Sequence, residues 1–268
     1  MWQRSELKTR AKEIIRKYFW AAVVVCLVSG LFAGEFGSSS SLTNNINSEN
    51  SNVMDTARDI VGGTSDFAVG DVTERVGNGL ANILTAGLFS IFLMFSIGFF
   101  VIAILVSIFI GAPILVGSKR FFMKSRVEKT SVGALFYVFK SGHMLNTVLI
   151  MFVQNLKLLL WTLLLIVPGI IKSYEYRMIP YILSENPEIE MKRAFELSRE
   201  MMTGQKWDTF VLDISFILWN ILGAITCGLA NVLFVNPYTA ATNAELYAVL
   251  RERILSNGYS NTFELPGF

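Results

Sequence analysis

The chain has 268 residues, 53% of them hydrophobic, 13% aromatic and only 16% charged. Charged residues make up about a quarter of a typical soluble domain, so this composition excludes a single water-soluble core and points to a membrane protein. The net charge of +2 excludes nothing, because it averages strongly basic segments with one acidic segment.

Residues 4–18 set Leu7, Ala11, Ile14 and Tyr18 on one helical face, with Arg4, Lys8, Arg10, Lys12, Arg16 and Lys17 around it. This pattern predicts an interfacial helix over 1–18, each cation favoured by anionic lipid at about 1 kcal/mol. A first span follows from Phe19 to Phe36. A long basic region and a weak cleavage pattern argue that it is retained rather than removed as a signal peptide. The polar loop 37–80 opens with a Ser- and Asn-rich run. It carries Glu49, Asp55, Asp59, Asp66, Asp71 and Glu74 against Arg58 and Arg75, a balance that belongs on the extracytoplasmic side.

No charge occurs from Val76 to Ser118. As one helix, Ala81–Gly117 would extend ~55 Å against a hydrocarbon core of ~30 Å. Gly111-Ala112-Pro113 offers the break, so the second span is expected to end near Ile110, with a basic cytoplasmic linker behind it. The third span is expected over Met144–Val167, stopping at Pro168-Gly169, with Lys157 snorkelling toward the inner surface. The stretch Ile170–Leu183 reads as a short fourth span, because otherwise Lys192, Arg193, Arg199 and Lys206 would lie outside, against the positive-inside rule.

An amphipathic cytoplasmic helix is expected over 187–204. Asn186 serves as N-cap, Pro187 takes the first position, Gly204 supplies the stop, and Ala194, Leu197 and Met201 form the apolar face. Spans five and six follow at Thr209–Thr226 and Leu229–Leu250, joined by a turn at Gly228 and with a kink expected at Asn236-Pro237. The fold class is therefore all-α. It is a single integral membrane domain of six spans with both termini cytoplasmic, and eighteen of the 23 Lys and Arg residues fall on that side.

The strings ELKTRAKEIIRKYFW, LLLWTLLLIVPGIIKSYEYRMIPYILSENP, RAFELSREMMTGQKWDTFVLDISFILWNILGAIT and NPYTAATNAELYAVL occur in that order and cover most of the chain apart from the outer loop. Together they resemble the bacterial membrane family catalogued as domain of unknown function 975. The resemblance implies an integral protein of the bacterial cell membrane with no established activity.

Charges inside a membrane span are costly and mark candidate sites, which singles out Lys172, Glu175 and Arg177, with Asp213 in reach of Arg177. Lys172 and Glu175 lie three apart on one helical face and can neutralise each other. Two readings are open: pairs that hold the bundle together, or a path for a polar solute. The helix breaks at Pro168, Gly169 and Pro237 favour the second, since interrupted helices free backbone groups that bind ions or substrate. Asn236, Thr239, Asn243 and Tyr247 repeat at helical spacing, beside a stripe of Ala240, Ala244 and Ala248. This pattern serves helix packing or a ligand.

Catalysis has little support. His143 is the one histidine, Cys26 and Cys227 lie in apolar runs, and there is no nucleophile elbow or phosphate-cradling loop. The expectation is a non-enzymatic membrane scaffold or accessory protein without metal or cofactor. Its expected partners are anionic lipids and another membrane protein, rather than nucleic acid. The alternative is a small-molecule or ion transporter.

Overall fold

In the computed structural model, which describes residues 2–33 and 87–268 apart from 101, 105 and 227, the first helix, α1 (Arg4–Ala33), bends at Tyr18. Its φ of −127° and ψ of 32° lie outside the helical region, where the basic half meets the apolar half. The other main helices are α2 (Ala112–Val127), α3 (Met144–Leu164), α4 (Ile166–Glu175), α5 (Ile179–Glu185), α6 (Met191–Met202), α7 (Lys206–Ile214), α8 (Ile217–Ile225) and α9 (Asn236–Ser256). Among the described residues there is no strand. The polar loop 37–80 and Cys227 lie outside the described residues.

Contacts divide the chain into two compact units, 1–40 with 105–268 and 41–104. The second unit is helical over 87–100 and 102–104, and its described residues carry no charge.

Four helices are long and apolar enough to cross a membrane: Arg4–Phe32, Gly87–Val127, Met144–Leu164 and Lys206–Ile225. This is the make-up of a membrane protein. The other two expected passes are not long apolar helices. Ile170–Leu183 is split between α4 and α5 by a turn at 176–178, whereas the last pass runs through a π-helical turn at Asn231–Val235 straight into α9 but carries Asn231, Asn236, Asn243 and Glu245 along its length.

Several boundaries differ from the sequence reading. No break occurs at Gly111-Ala112-Pro113, because a π-helical turn over Ser107–Gly111 leads straight into α2. Pro113 is accommodated directly after the π turn, a local departure from regular α-helix, instead of ending the helix. The break expected at Pro168-Gly169 lies instead at Leu165 (φ −158°, ψ 134°), and Pro168 falls in the first turn of the next helix. The helix expected from 187 starts at Met191. Asn186 caps the end of α5, and its Oδ1 accepts the Glu188 N–H at 3.0 Å in a turn that occupies 187–190. At the other end Gly204 has a φ of +73°, a left-handed stop for which glycine is suited.

The face of α1 expected to meet lipid meets protein instead. Leu7, Ala11 and Ile14 are buried, and α1 packs on α9 and α2. From the turn at Leu165 the chain retraces α3. Gln154 Nε2 donates to the Tyr176 carbonyl at 3.3 Å, and Asn146 Nδ2 donates to the carbonyls of Pro187 and Ile189 at 2.8 and 3.0 Å.

The four basic segments are tied together at the resulting polar end. Trp2 Nε1 donates to Gln205 Oε1 at 2.7 Å, and Arg126 holds Glu245 at 2.6 Å with Arg10 at 4.0 Å from the same carboxylate. Arg253 donates to the carbonyls of Glu200 and Met201 at 3.0 and 2.9 Å.

Candidate functional site

The charged residues that the sequence singles out form two separate clusters. In the first, Glu175 at the end of α4 is nearly buried and accepts from Lys172 and from Lys206 at the start of α7, both at 2.5 Å, with Arg199 at 3.9 Å. Two direct cationic partners around one carboxylate favour its ionised form and fix the junction of α4, α6 and α7.

The second cluster lies across the bundle. Arg177, in the turn between α4 and α5, grips Asp213 through two donors at 2.6 and 2.8 Å. The same guanidinium donates to Asn243 Oδ1 at 2.9 Å, while the Tyr174 hydroxyl donates to Asp213 at 2.9 Å. The bidentate geometry fixes both side chains, and the four residues of the cluster come from α4, the turn after it, α7 and α9, brought together only by the fold.

This second cluster forms one wall of a cavity of about 670 Å³ lined from α1, α2, α3, α4, α5, α7, α8 and α9. Arg177, Asp213, Asn236 and Asn243 line it; Lys172 and Glu175 do not. Gln154, Asn155 and Asn220 complete its polar wall, with Lys119, Tyr181 and Phe216 beside them. Among the described residues the side-chain amides of Asn155, Asn220 and Asn236 make no hydrogen bond. Gln154 uses its Nε2 on Tyr176, while its Oε1, buried at the wall, has no donor. A volume of this size takes a small molecule, and free amides beside a fixed ion pair offer donors, acceptors and both signs of charge.

The helix breaks serve the cavity unequally. Pro168 and Gly169 lie away from its lining, at the reversal of the α3–α4 hairpin. There a Cβ on Gly169 would stand 2.7 Å from Thr162 Oγ1 and 2.9 Å from its Cα, so only glycine admits the approach. Pro237 opens α9 directly after the π turn, and its neighbour Asn236 faces the cavity. Of the polar stripe on α9, Asn236, Thr239 and Asn243 line the cavity, while the Tyr247 hydroxyl is buried and donates to Glu185 at 3.1 Å.

Sequence reasoning missed Lys206 as the second cation on Glu175, and Tyr174, which sits three residues before Arg177 on the same face. It also missed Gln154, Asn155 and Asn220, although three carboxamides inside apolar runs are a legible signal. Among the described residues no group of His, Cys, Asp and Glu is arranged to hold a metal ion.

The family model described as protein of unknown function (DUF975) matches residues 1–254. The chain belongs to the DUF975 family. The match takes in all six site residues and stops just before the last turns of α9 give way to the tail. No curated protein and no solved structure matches this DUF975 chain.

Proposed function

We propose that this DUF975 protein is a non-enzymatic, multi-pass protein of a bacterial cell membrane with both termini cytoplasmic, and that its central cavity receives a small polar solute for passage. The cavity lined by Arg177, Asp213, Asn243 and the unspent amides carries this reading. Polar groups inside a membrane bundle are expensive, and leaving several of them without partners makes sense where a ligand or water supplies the missing bonds. The contacts among the basic segments support a common face for them, and the positive-inside rule makes that face cytoplasmic. Six passes satisfy this arrangement, as does any other even number. Anionic lipid is the natural partner of the cationic rim.

The test is uptake into proteoliposomes over a panel of inorganic ions, amino acids and other small zwitterions. The wild type is expected to move at least one of them well above protein-free vesicles. Asn220→Leu and Asn236→Leu, which fill the polar wall, are expected to lose that flux while inserting normally. A panel without flux contradicts the reading.

A second reading is favoured by the pairing of the charges, with Glu175 saturated by Lys172 and Lys206 and Asp213 by Arg177. On that reading the protein is a membrane scaffold or accessory protein acting on a membrane protein partner. Crosslinked membranes are then expected to yield a stoichiometric partner, and recovery of the protein alone counts against it.

A further inference from the structure

The hairpin of α3 and α4 carries a feature that two full membrane passes do not explain. Between Lys157 and Lys172 the chain reads LLLWTLLLIVPGII, and the turn itself is apolar. Leu163, Ile166 and Val167 are 82%, 71% and 68% exposed. A turn that emerges into water or headgroups is rich in Asn, Asp, Ser or charge, whereas this one has none of these; its Gly169 is packed against Thr162, whose hydroxyl is spent on the Leu158 carbonyl at 2.8 Å.

The residue at the reversal keeps its backbone paired, which matters in hydrocarbon, where an unpaired N–H or C=O costs several kcal/mol. Leu165 is the one residue outside the helices. Its N–H donates to the Trp161 carbonyl at 3.1 Å, and its carbonyl accepts the Gly169 N–H at 3.2 Å. Pro168, in the first turn of α4, removes a donor that would have no partner there.

The base of the hairpin is polar and level with the cationic end of the molecule. Glu175 binds Lys206, and the neighbouring Gln205 binds Trp2 near the N-terminus. The Lys157 ammonium lies 3.8 Å from the centre of the Phe195 ring on α6. From the Gln154–Tyr176 hydrogen bond to Leu165 each arm has about 11 residues, or ~16 Å at helical rise. That is about half of a ~30 Å hydrocarbon core. The whole of α3 is long enough to cross, yet its first turn is bonded through Asn146 to Pro187 and Ile189, beside the polar end.

We infer that the α3–α4 hairpin is a re-entrant wedge seated in the acyl chains of one leaflet, its tip at 163–168 ending near the bilayer midplane instead of on the far side. The inference rests on the reading that the polar end faces the cytoplasm. It reduces the through-passes from six to four, an even number, so the basic segments keep a common side. The partner of this surface is the lipid interior of the inner leaflet, displaced by the wedge over nearly the whole depth of that leaflet.

The experiment is a depth scan. Single cysteines replace Leu156, Leu160, Leu163 and Val167, all exposed, in a Cys26→Ala, Cys227→Ala background in phosphatidylglycerol-containing vesicles. Each carries a nitroxide whose collisions with oxygen and with a water-soluble nickel chelate report depth. The wedge predicts depth increasing steadily from 156 to 163–167, and no reaction of the 167 thiol with an impermeant maleimide from either side. A maximum near 156 that declines toward 167, or labelling of 167 from outside, overturns it and restores two full passes. A cysteine at Lys192 read in the same vesicles reports the side of the polar end, so failure of that reading is seen separately.

Discussion

The polar end and the apolar hairpins are built on opposite rules. Around α5, α6 and the second half of α9, apolar side chains are turned inward: Met178, Ile179, Ile182, Leu183, Leu197 and Leu250 are fully buried, and charges sit around them in specific pairs. Along the second half of α3, α4 and α8 the apolar side chains point outward, with Leu163, Ile166, Leu218 and Ile225 each more than 70% exposed. The first region is organised like a water-soluble core and the second for lipid, within one continuous unit. Hydrophobic residues therefore say little here about where the stability lies, because only the first group gains from being removed from solvent by protein.

Four perturbations probe that contrast, from the largest expected effect to the smallest. Glu185 is buried against Arg251, with Nε to Oε1 at 2.6 Å, and the Tyr247 hydroxyl donates to its other oxygen. Arg251→Ala strands the carboxylate and is expected to cost about 3–5 kcal/mol. The measure is loss of monodisperse protein after heating in detergent.

Leu197→Ala, at a fully buried position on α6, is expected to cost about 2–5 kcal/mol. Leu163→Ala, at an 82% exposed position on the hairpin, is expected to be nearly silent in the same assay. Equal losses for the two erase the distinction between the regions.

Gly117→Ala puts a Cβ 2.1 Å from the Leu135 carbonyl oxygen, a backbone atom that cannot swing aside. About 1–3 kcal/mol is expected from overpacking, read as a lowered apparent melting temperature.

The smallest effect depends on pH. The hydrogen bond from Arg193 holds the Glu264 carboxyl below its ordinary value near 4.5. A folded-state value that is depressed contributes stability fully above the ordinary value, and that contribution disappears as pH falls through the lowered one. Both groups are partly exposed, so less than about 1 kcal/mol is involved. The tail at 257–268 is expected to loosen in acid, seen as faster hydrogen exchange at Leu265, and Glu264→Gln is expected to loosen it at neutral pH.

Much of the fold was legible where periodicity and charge agree. Ala194, Leu197 and Met201 are all buried on α6, and the change from basic to apolar sequence at Tyr18 coincides with the bend of α1. What misled was local punctuation that tertiary contacts override. Asn186 has the composition of an N-cap, but its Oδ1 serves a turn while its Nδ2 reaches the Glu264 carbonyl, 78 positions away. Pro113 and Pro168 look like helix ends, yet Pro113 follows a π turn within a continuous helix and Pro168 is tolerated in a first turn.

The site divided in the same way. Arg177 and Asp213 could be matched because opposite charges inside apolar segments seek each other. Lys172 and Glu175 stand apart from the cavity because they share one face of α4 while Ser173 and Tyr174, on another, line it, and no residue in 176–178 announces the turn that brings Arg177 to the same wall.

The chain returns through the hairpin so that the Lys192 region shares a membrane face with the N-terminus. Impermeant thiol labelling of Arg4→Cys and Lys192→Cys in right-side-out vesicles tests it directly. Both are predicted to stay unlabelled until the membrane is permeabilised. Labelling of Lys192→Cys from outside while Arg4→Cys stays protected would contradict the account.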